Sequence, residues 1–369
     1  MEKTKNQTGR STNRRSFLTK SMLAAGAVAG AGLIGGSKIA MGQGFGEGLT
    51  RGDIAILRFL AAAELIESDL WQQYAELGGV TDGAQNNYQL ALQFLDGDGS
   101  QYITSNTLDE MSHANFLNAY LQSKGAEPVS LDAFRNLPSS TASGADVKTK
   151  RLTNLMHLNV DTSWYIRYRS TTNPDFGATF PQAITISNRT AIPITDADFD
   201  NPDHIQAIAD TAAFHFGMIE QGGSSLYQAL SLKVTSLEVL KITMAIGGDE
   251  VAHFLEWVDF SGNAVQGPPF SFQNSQVPVT DNGLTFPDFN SDPRGSLVQT
   301  NLIFPVPCQF ISPNLPHCAV IRPTDDRFAG AMAAVTALTN DGLFIGQSPQ
   351  FFQVLKQLAE EADEAFREF

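Results

Sequence analysis

The chain is poor in cysteine, with two in 369 residues, Cys308 and Cys318, and no Cys-x-x-Cys pair. That excludes an iron–sulfur centre or a rubredoxin-like module, and Cys-x9-Cys is not a metal-site spacing. In an oxidising compartment one disulfide closing the Pro-rich loop PVPCQFISPNLPHCAV is the natural use of the pair. His317, beside Cys318, reads as an ordinary loop residue. Histidine is also scarce, at six. Basic residues are few: 24 Lys/Arg against 39 Asp/Glu, a formal net charge of −15. Seven of those 24 and only one acid fall within residues 1–40. The remainder is strongly acidic and has no basic stripe, which excludes nucleic acid and anionic lipid as partners and favours cations. Short-period repeats and low-complexity tracts are lacking too.

One apolar run stands out. Behind MEKTKNQTGRSTNRRSFLTK come seventeen uncharged residues, SMLAAGAVAGAGLIGGS. A basic head before a moderately apolar, Ala/Gly-rich stretch is an export-signal pattern, too short for a comfortable membrane span. Arg14-Arg15-Ser16-Phe17-Leu18 resembles the twin-arginine motif, with Asn13 in place of the usual Ser or Thr. The resemblance implies export of an already folded protein by the twin-arginine machinery to the periplasm or the cell exterior. Lys38-Ile39-Ala40 is a poor small-x-small cleavage site, so both cleavage after Ala40 and an uncleaved anchor stay open.

Behind a glycine-rich linker at 41–52, helical periodicity dominates. DIAILRFLAAAELIESDLWQQYAEL spaces its apolar residues by three and four, and Gly78-Gly79 stops it. Further helices are expected at about 84–95, 104–123 (capped by Thr104 or Ser105), 148–170, 203–232, 236–260, 324–338 and 348–367. A short alternating piece at 183–195 reads as a local strand, and 261–322 as loop. The expected fold is mostly α: a four-helix bundle over 53–260 with its core in 53–124 and 203–260. An insertion at 126–202 separates core helices 2 and 3, and a loop-rich extension at 261–369 ends in two helices.

Glu110-x-x-His113 and Glu250-x-x-His253 place two pairs of chemistry-bearing side chains, each on one helix face. One Glu-x-x-His arises by chance on exposed helices. Two become informative if each is preceded by a lone inward Glu, because a bundle holding two metals takes a Glu from each of two helices and a Glu-x-x-His from each of the others. Glu67 and Glu220 fill those places, and each has a tyrosine two turns later, Tyr74 and Tyr227. Glu64, one turn from Glu67, lacks such a tyrosine. Both Glu-x-x-His pairs sit among apolar neighbours, where a buried charge needs a partner or a metal. Tyr74 and Tyr227 are the candidate catalytic residues, placed to hydrogen-bond ligand carboxylates across the bundle. Asp109 and Asp249 are open between serving a neighbouring helix and facing water. His215 and His157 read as packing histidines, and Gly247-Gly248 as a close helix approach or a bulge.

The order Glu67, Glu110/His113, Glu220, Glu250/His253 resembles the ferritin-like superfamily, in particular its ferritin, bacterioferritin and rubrerythrin group. With its export signal and insertions the chain is similar to the broader ferritin-like domain family that includes desiccation-related proteins. The resemblance implies that Glu110 and Glu250 bridge two divalent metals, with Glu67, Glu220, His113 and His253 terminal. Four carboxylates and two imidazoles suit iron first and manganese next, while zinc would occupy the site without redox chemistry. The expectation is an exported redox enzyme acting with a small oxidant, dioxygen or peroxide, ferrous-iron oxidation included. The alternative is a non-enzymatic stress, desiccation or cell-surface scaffold. Oligomeric state is left open.

Overall fold

Thr50 and Asp53 form a reciprocal cap at the start of the first helix, α1 (Arg51–Gly78): each side chain accepts from the other's backbone N–H. The other carboxylate oxygen of Asp53 accepts from the backbone of Thr235, so this cap also fastens a distant turn. The computed structural model describes residues 48–80, 87–167, 181–262, 279–286, 311–318 and 330–368. The export signal, most of the 261–322 region and Cys308 lie outside them.

After α2 (Asn87–Leu95), α3 (Gly99–Ser123) runs along α1. It begins ahead of the expected Thr104/Ser105 cap. The Thr104 hydroxyl instead donates to the Ser100 carbonyl at 2.9 Å and accepts the Val80 amide at 2.8 Å, tying α3 to the end of α1. Helix α5 (Pro202–Ser231) starts on an Asn201 cap and Pro202, and packs along α6 (Leu237–Gly262). The four long helices α1, α3, α5 and α6 form the bundle, with most of the α5 surface buried.

The helix expected over 148–170 is absent from 148–163, and 168–170 lie outside the described residues. Only α4 (Trp164–Arg167) is helical, preceded by an irregular stretch. Its backbone donors are taken by distant acceptors, which removes them from any helical ladder. The Leu152 and Thr153 amides donate to Asp69, the Asn154 amide to the Leu343 carbonyl, and the Asn159 amide to the Asp341 carbonyl. The strand expected at 183–195 is also absent, leaving an isolated bridge between Leu158 and Arg189. A two-residue hairpin, β1 (Thr280–Asp281) and β2 (Leu284–Thr285), turns on Asn282-Gly283, both at positive φ. The chain ends in α7 (Ala331–Asp341) and α8 (Pro349–Asp363), with α8 packed on α1 and α7. Asp363 accepts the first two amides of α7.

Asp69 is the anchor between bundle and insertion. It is buried on α1, pairs with Arg135 at 2.6 Å, and accepts from the Leu152 and Thr153 backbone and the Thr153 hydroxyl. Asp69→Ala leaves these donors facing a void, so we expect a loss of about 3 kcal/mol. Urea unfolding measures it, and a midpoint equal to wild type would show that the insertion is held elsewhere.

Candidate metal centre

Each bundle helix sends acidic side chains to one point in the interior. Glu64 from α1, Glu110 and His113 from α3, Glu220 from α5, and Glu250 and His253 from α6 are all buried, the four carboxylates at 0–1% exposure. Their ligand atoms form two overlapping clusters: Glu64, Glu110, His113 and Glu250 in one, Glu110, Glu220, Glu250 and His253 in the other. Glu110 and Glu250 belong to both. His113 Nδ1 lies 3.2 Å from Glu110, 3.4 Å from Glu64 and 3.5 Å from Glu250. His253 Nδ1 lies 3.1 Å from Glu110 and 3.3 Å from Glu220.

Five of the six sequence-assigned ligands come together here, and the sixth place is taken by a different residue. Glu64, not Glu67, stands in the cluster. Glu67, one turn on, lines an apolar cavity with Phe59, Ala63, Ile219, Leu338 and Phe344. Burial, then the charges of Glu250 and Glu64, push its pKa well up. The tyrosine criterion misled because the residue two turns after Glu64 is another aromatic, Trp71. On α5 the position matching Glu67 is Gly223. A Cβ there would lie 2.2 Å from Glu250 Oε2, so the missing side chain leaves room for the shared carboxylate. Gly247 likewise admits Tyr227, whose Cβ would lie 2.7 Å from an added Cβ, which resolves the Gly-Gly pair as close helix approach at its first residue.

The two tyrosines part company. Tyr227 donates from its hydroxyl to Glu64 across the bundle, and burial raises its pKa, reinforced by Glu64 and Glu250. Tyr74 touches no carboxylate of the cluster in any hydrogen bond; its hydroxyl meets His215 Nδ1 at 2.8 Å. Asp109 and Asp249, left open by the sequence, face the outer nitrogens of the opposite histidines. Asp249 lies 3.3 Å from His113 Nε2, and Asp109 lies 3.4 Å from His253 Nε2. Carboxylates in that position orient metal-binding imidazoles and raise their basicity. Asn106 escaped the sequence reading. One turn before Glu110, its amide donates to Glu110 at 2.7 Å and Glu220 at 3.1 Å, while its carbonyl accepts Trp257 Nε1–H at 2.8 Å. Its spacing of four from Glu110 was the available signal.

Such a cluster fits cations. Among the described residues Glu64 Oε2, Glu220 Oε2, both carboxylate oxygens of Glu250 and His253 Nδ1 are buried without a hydrogen bond, an arrangement that is costly unless something positive satisfies it. In the metal-free chain protons do part of that work. Burial, then the charge of Glu220, raise Glu110 to about 8 against the neighbouring imidazoles of His113 and His253. Burial and Glu110 raise Glu250. Burial opposes a charge on either imidazole, but the surrounding carboxylates outweigh it and hold both His113 and His253 well above their ordinary value.

The sign of the pH dependence follows. Between the ordinary value of 4.5 and about 8, folded Glu110 keeps a proton that the unfolded chain has lost. Stability therefore falls as pH rises through that window. The histidines act in the same direction above their unfolded pKa of about 6.5, because their folded-state values are also raised. Metal-free protein should show a lower urea midpoint at about pH 8 than at about pH 5, and bound divalent metal should raise the pH 8 midpoint. A flat profile for the metal-free protein would show that these groups do not hold the protons.

The chain thus contains a four-helix bundle with a buried Glu/His dimetal-carboxylate site typical of the ferritin-like superfamily. No protein-family model, curated protein or solved structure matches it.

Proposed function

We propose that this protein is an exported dimetal-carboxylate redox protein, iron before manganese, that uses dioxygen or peroxide as its oxidant. Ferrous-iron oxidation is among its candidate reactions. The observation that carries the reading is the pair of clusters sharing Glu110 and Glu250. Those two carboxylates would bridge, with Glu64 and His113 completing one site and Glu220 and His253 the other. Four carboxylates match the charge of two divalent ions, and oxygen plus imidazole donors suit iron and manganese. Bound there, such a pair supplies one- and two-electron chemistry toward dioxygen or peroxide. The chain's own part is to hold the ligands in place. Asn106 orients Glu110 and Glu220, Tyr227 holds a proton against Glu64, and Asp109 and Asp249 set the imidazoles.

Metal analysis of protein from its native host tests this directly. About two iron or manganese atoms per chain are expected, lost in a Glu110→Ala/Glu250→Ala variant. A folded wild type without metal would sink the redox reading and leave the bundle as a scaffold. Export rests on the paired arginines. Arg14→Lys/Arg15→Lys should hold the protein in the cytoplasmic fraction, and unchanged fractionation would remove the twin-arginine route.

A further inference from the structure

The hairpin of β1 and β2 sits on α5, far along the chain from the residues it touches. Strands of two residues do not make a hairpin that is stable alone, so its place depends on its contacts. Val279, Leu284 and Phe286 are buried, and Phe286 stacks on Phe214 of α5 with ring centroids 6.2 Å apart. Phe214 in turn packs against Trp164 and Tyr165. The hairpin thus covers an aromatic patch on α5.

Charge holds its tip. Arg189 of the insertion lies 3.2 Å from Asp281 and donates to the Asn282 carbonyl at 2.7 Å. His204, in the first turn of α5, places Nδ1 3.1 Å from Asp281 Oδ2 and Nε2 3.2 Å from Asp198 Oδ1. Asp198 is pinned, because its other oxygen accepts the Ile194 and Thr195 amides at 2.7 and 3.0 Å. Each ring nitrogen of His204 therefore faces a carboxylate, one from the insertion and one from the hairpin. Only an imidazolium carries an N–H on both nitrogens; a neutral ring turns a lone pair toward one of the two carboxylates. The start of a helix disfavours a cation, and Asp198 and Asp281 offset that. Asp203, beside His204 on α5, is exposed. The His204, Asp198 and Asp281 side chains are 26%, 19% and 14% exposed, so the ring can exchange protons with solvent while the hairpin stays in place.

We propose that His204 is a pH-operated latch for this hairpin: the doubly protonated ring ties Asp281 to Asp198, and loss of one proton to solvent loosens the hairpin from α5. The ring is better served with the hairpin closed, where both N–H groups face carboxylates, than with it open, where Asp281 has gone. Closing is therefore favoured as pH falls. Histidine is the side chain whose charge changes between about pH 5 and 8, so the latch works across that range. Arg189 stays charged throughout and supplies a hold that does not respond to pH. The latch consequently shifts how often the hairpin opens and uncovers Phe214, and does not discard it. None of these residues belongs to the carboxylate clusters, so the device goes beyond the dimetal reading and stands without it.

Hydrogen–deuterium exchange of the full chain, read by mass spectrometry on the peptide spanning 279–286, tests the latch. Exchange is corrected for its intrinsic pH dependence, and peptides from the four bundle helices serve as the reference for global opening. Hairpin protection relative to the bundle should fall about fivefold between about pH 5.5 and about pH 8 in wild type, the worth of one partly exposed ion pair. His204→Gln should be insensitive to pH, and Arg189→Met should lower protection at both pH values while keeping the response. Circular dichroism confirms that each variant is folded. The Cε1 proton signal of His204, assigned by its loss in His204→Gln, should move over the same pH range in wild type. Equal relative protection of the wild-type hairpin at both pH values, a response that persists in His204→Gln, or a His204 signal that does not move overturns the proposal. The wild-type measurements need no substitution, and all of them read the hairpin alone, so failure here and failure of the dimetal reading are distinct results.

Discussion

Four glutamates meeting at essentially zero exposure inside one helical bundle is the constraint from which the rest of the structure follows. An uncompensated carboxylate in an apolar core is far more costly than any single packing contact gains, so the fold must supply protons, donors or cations at that point. Every unusual feature nearby answers that demand. Two histidines aim Nδ1 inward, Asn106 donates to two carboxylates at once, and Tyr227 donates to a third. Gly223 gives up its side chain so that Glu250 fits. What these donors leave without a hydrogen bond among the described residues, on Glu64, Glu220, Glu250 and His253, are atoms that could ligate a cation.

The bundle and most of this site were legible in the sequence because both depend on local spacing. Helical period fixes which residues share a face, and Glu-x-x-His places both members of a pair toward the same point. Spacing alone could not separate Glu64 from Glu67, since one turn of helix turns both toward the same side. A tyrosine two turns on decided it wrongly, because the partner of Glu64 is the non-identical aromatic Trp71. The roles of Asp109 and Asp249 were hidden for another reason. Each serves the histidine of the opposite helix, and only packing brings those together. The insertion was the least legible part. Its apolar rhythm over 148–170 resembles a helix, yet its amides go to Asp69, Leu343 and Asp341, partners far away in sequence.

The appended segments are also part of the bundle's chemistry. Asp69 on α1 holds the insertion, and Asn154 and Asn159 of that insertion bind the backbone at the end of α7. The Asn159 amide donates to the Asp341 carbonyl, on the residue whose carboxylate faces His215. The insertion and extension therefore position one acidic group in the core together. The extension also roofs the cavity beside Glu67 with Ala334, Leu338 and Phe344. A compact bundle without them would leave His215 without an acidic neighbour.

The two helix pairs repeat their ligands but not their surroundings. Glu64 and Glu220 correspond, and so do the two Glu-x-x-His pairs, which makes the ligand set close to twofold symmetric. Two turns beyond the lone glutamates the symmetry breaks: α1 carries Trp71 and α5 carries Tyr227. Tyr227 turns its hydroxyl onto Glu64 and serves the ligand set itself. Trp71 has no hydrogen-bond partner for its ring N–H among the described residues; it stacks on Trp257 and meets Tyr74 at a tilt. One side of the site thus ends in a proton donor and the other in a row of aromatic rings leading away.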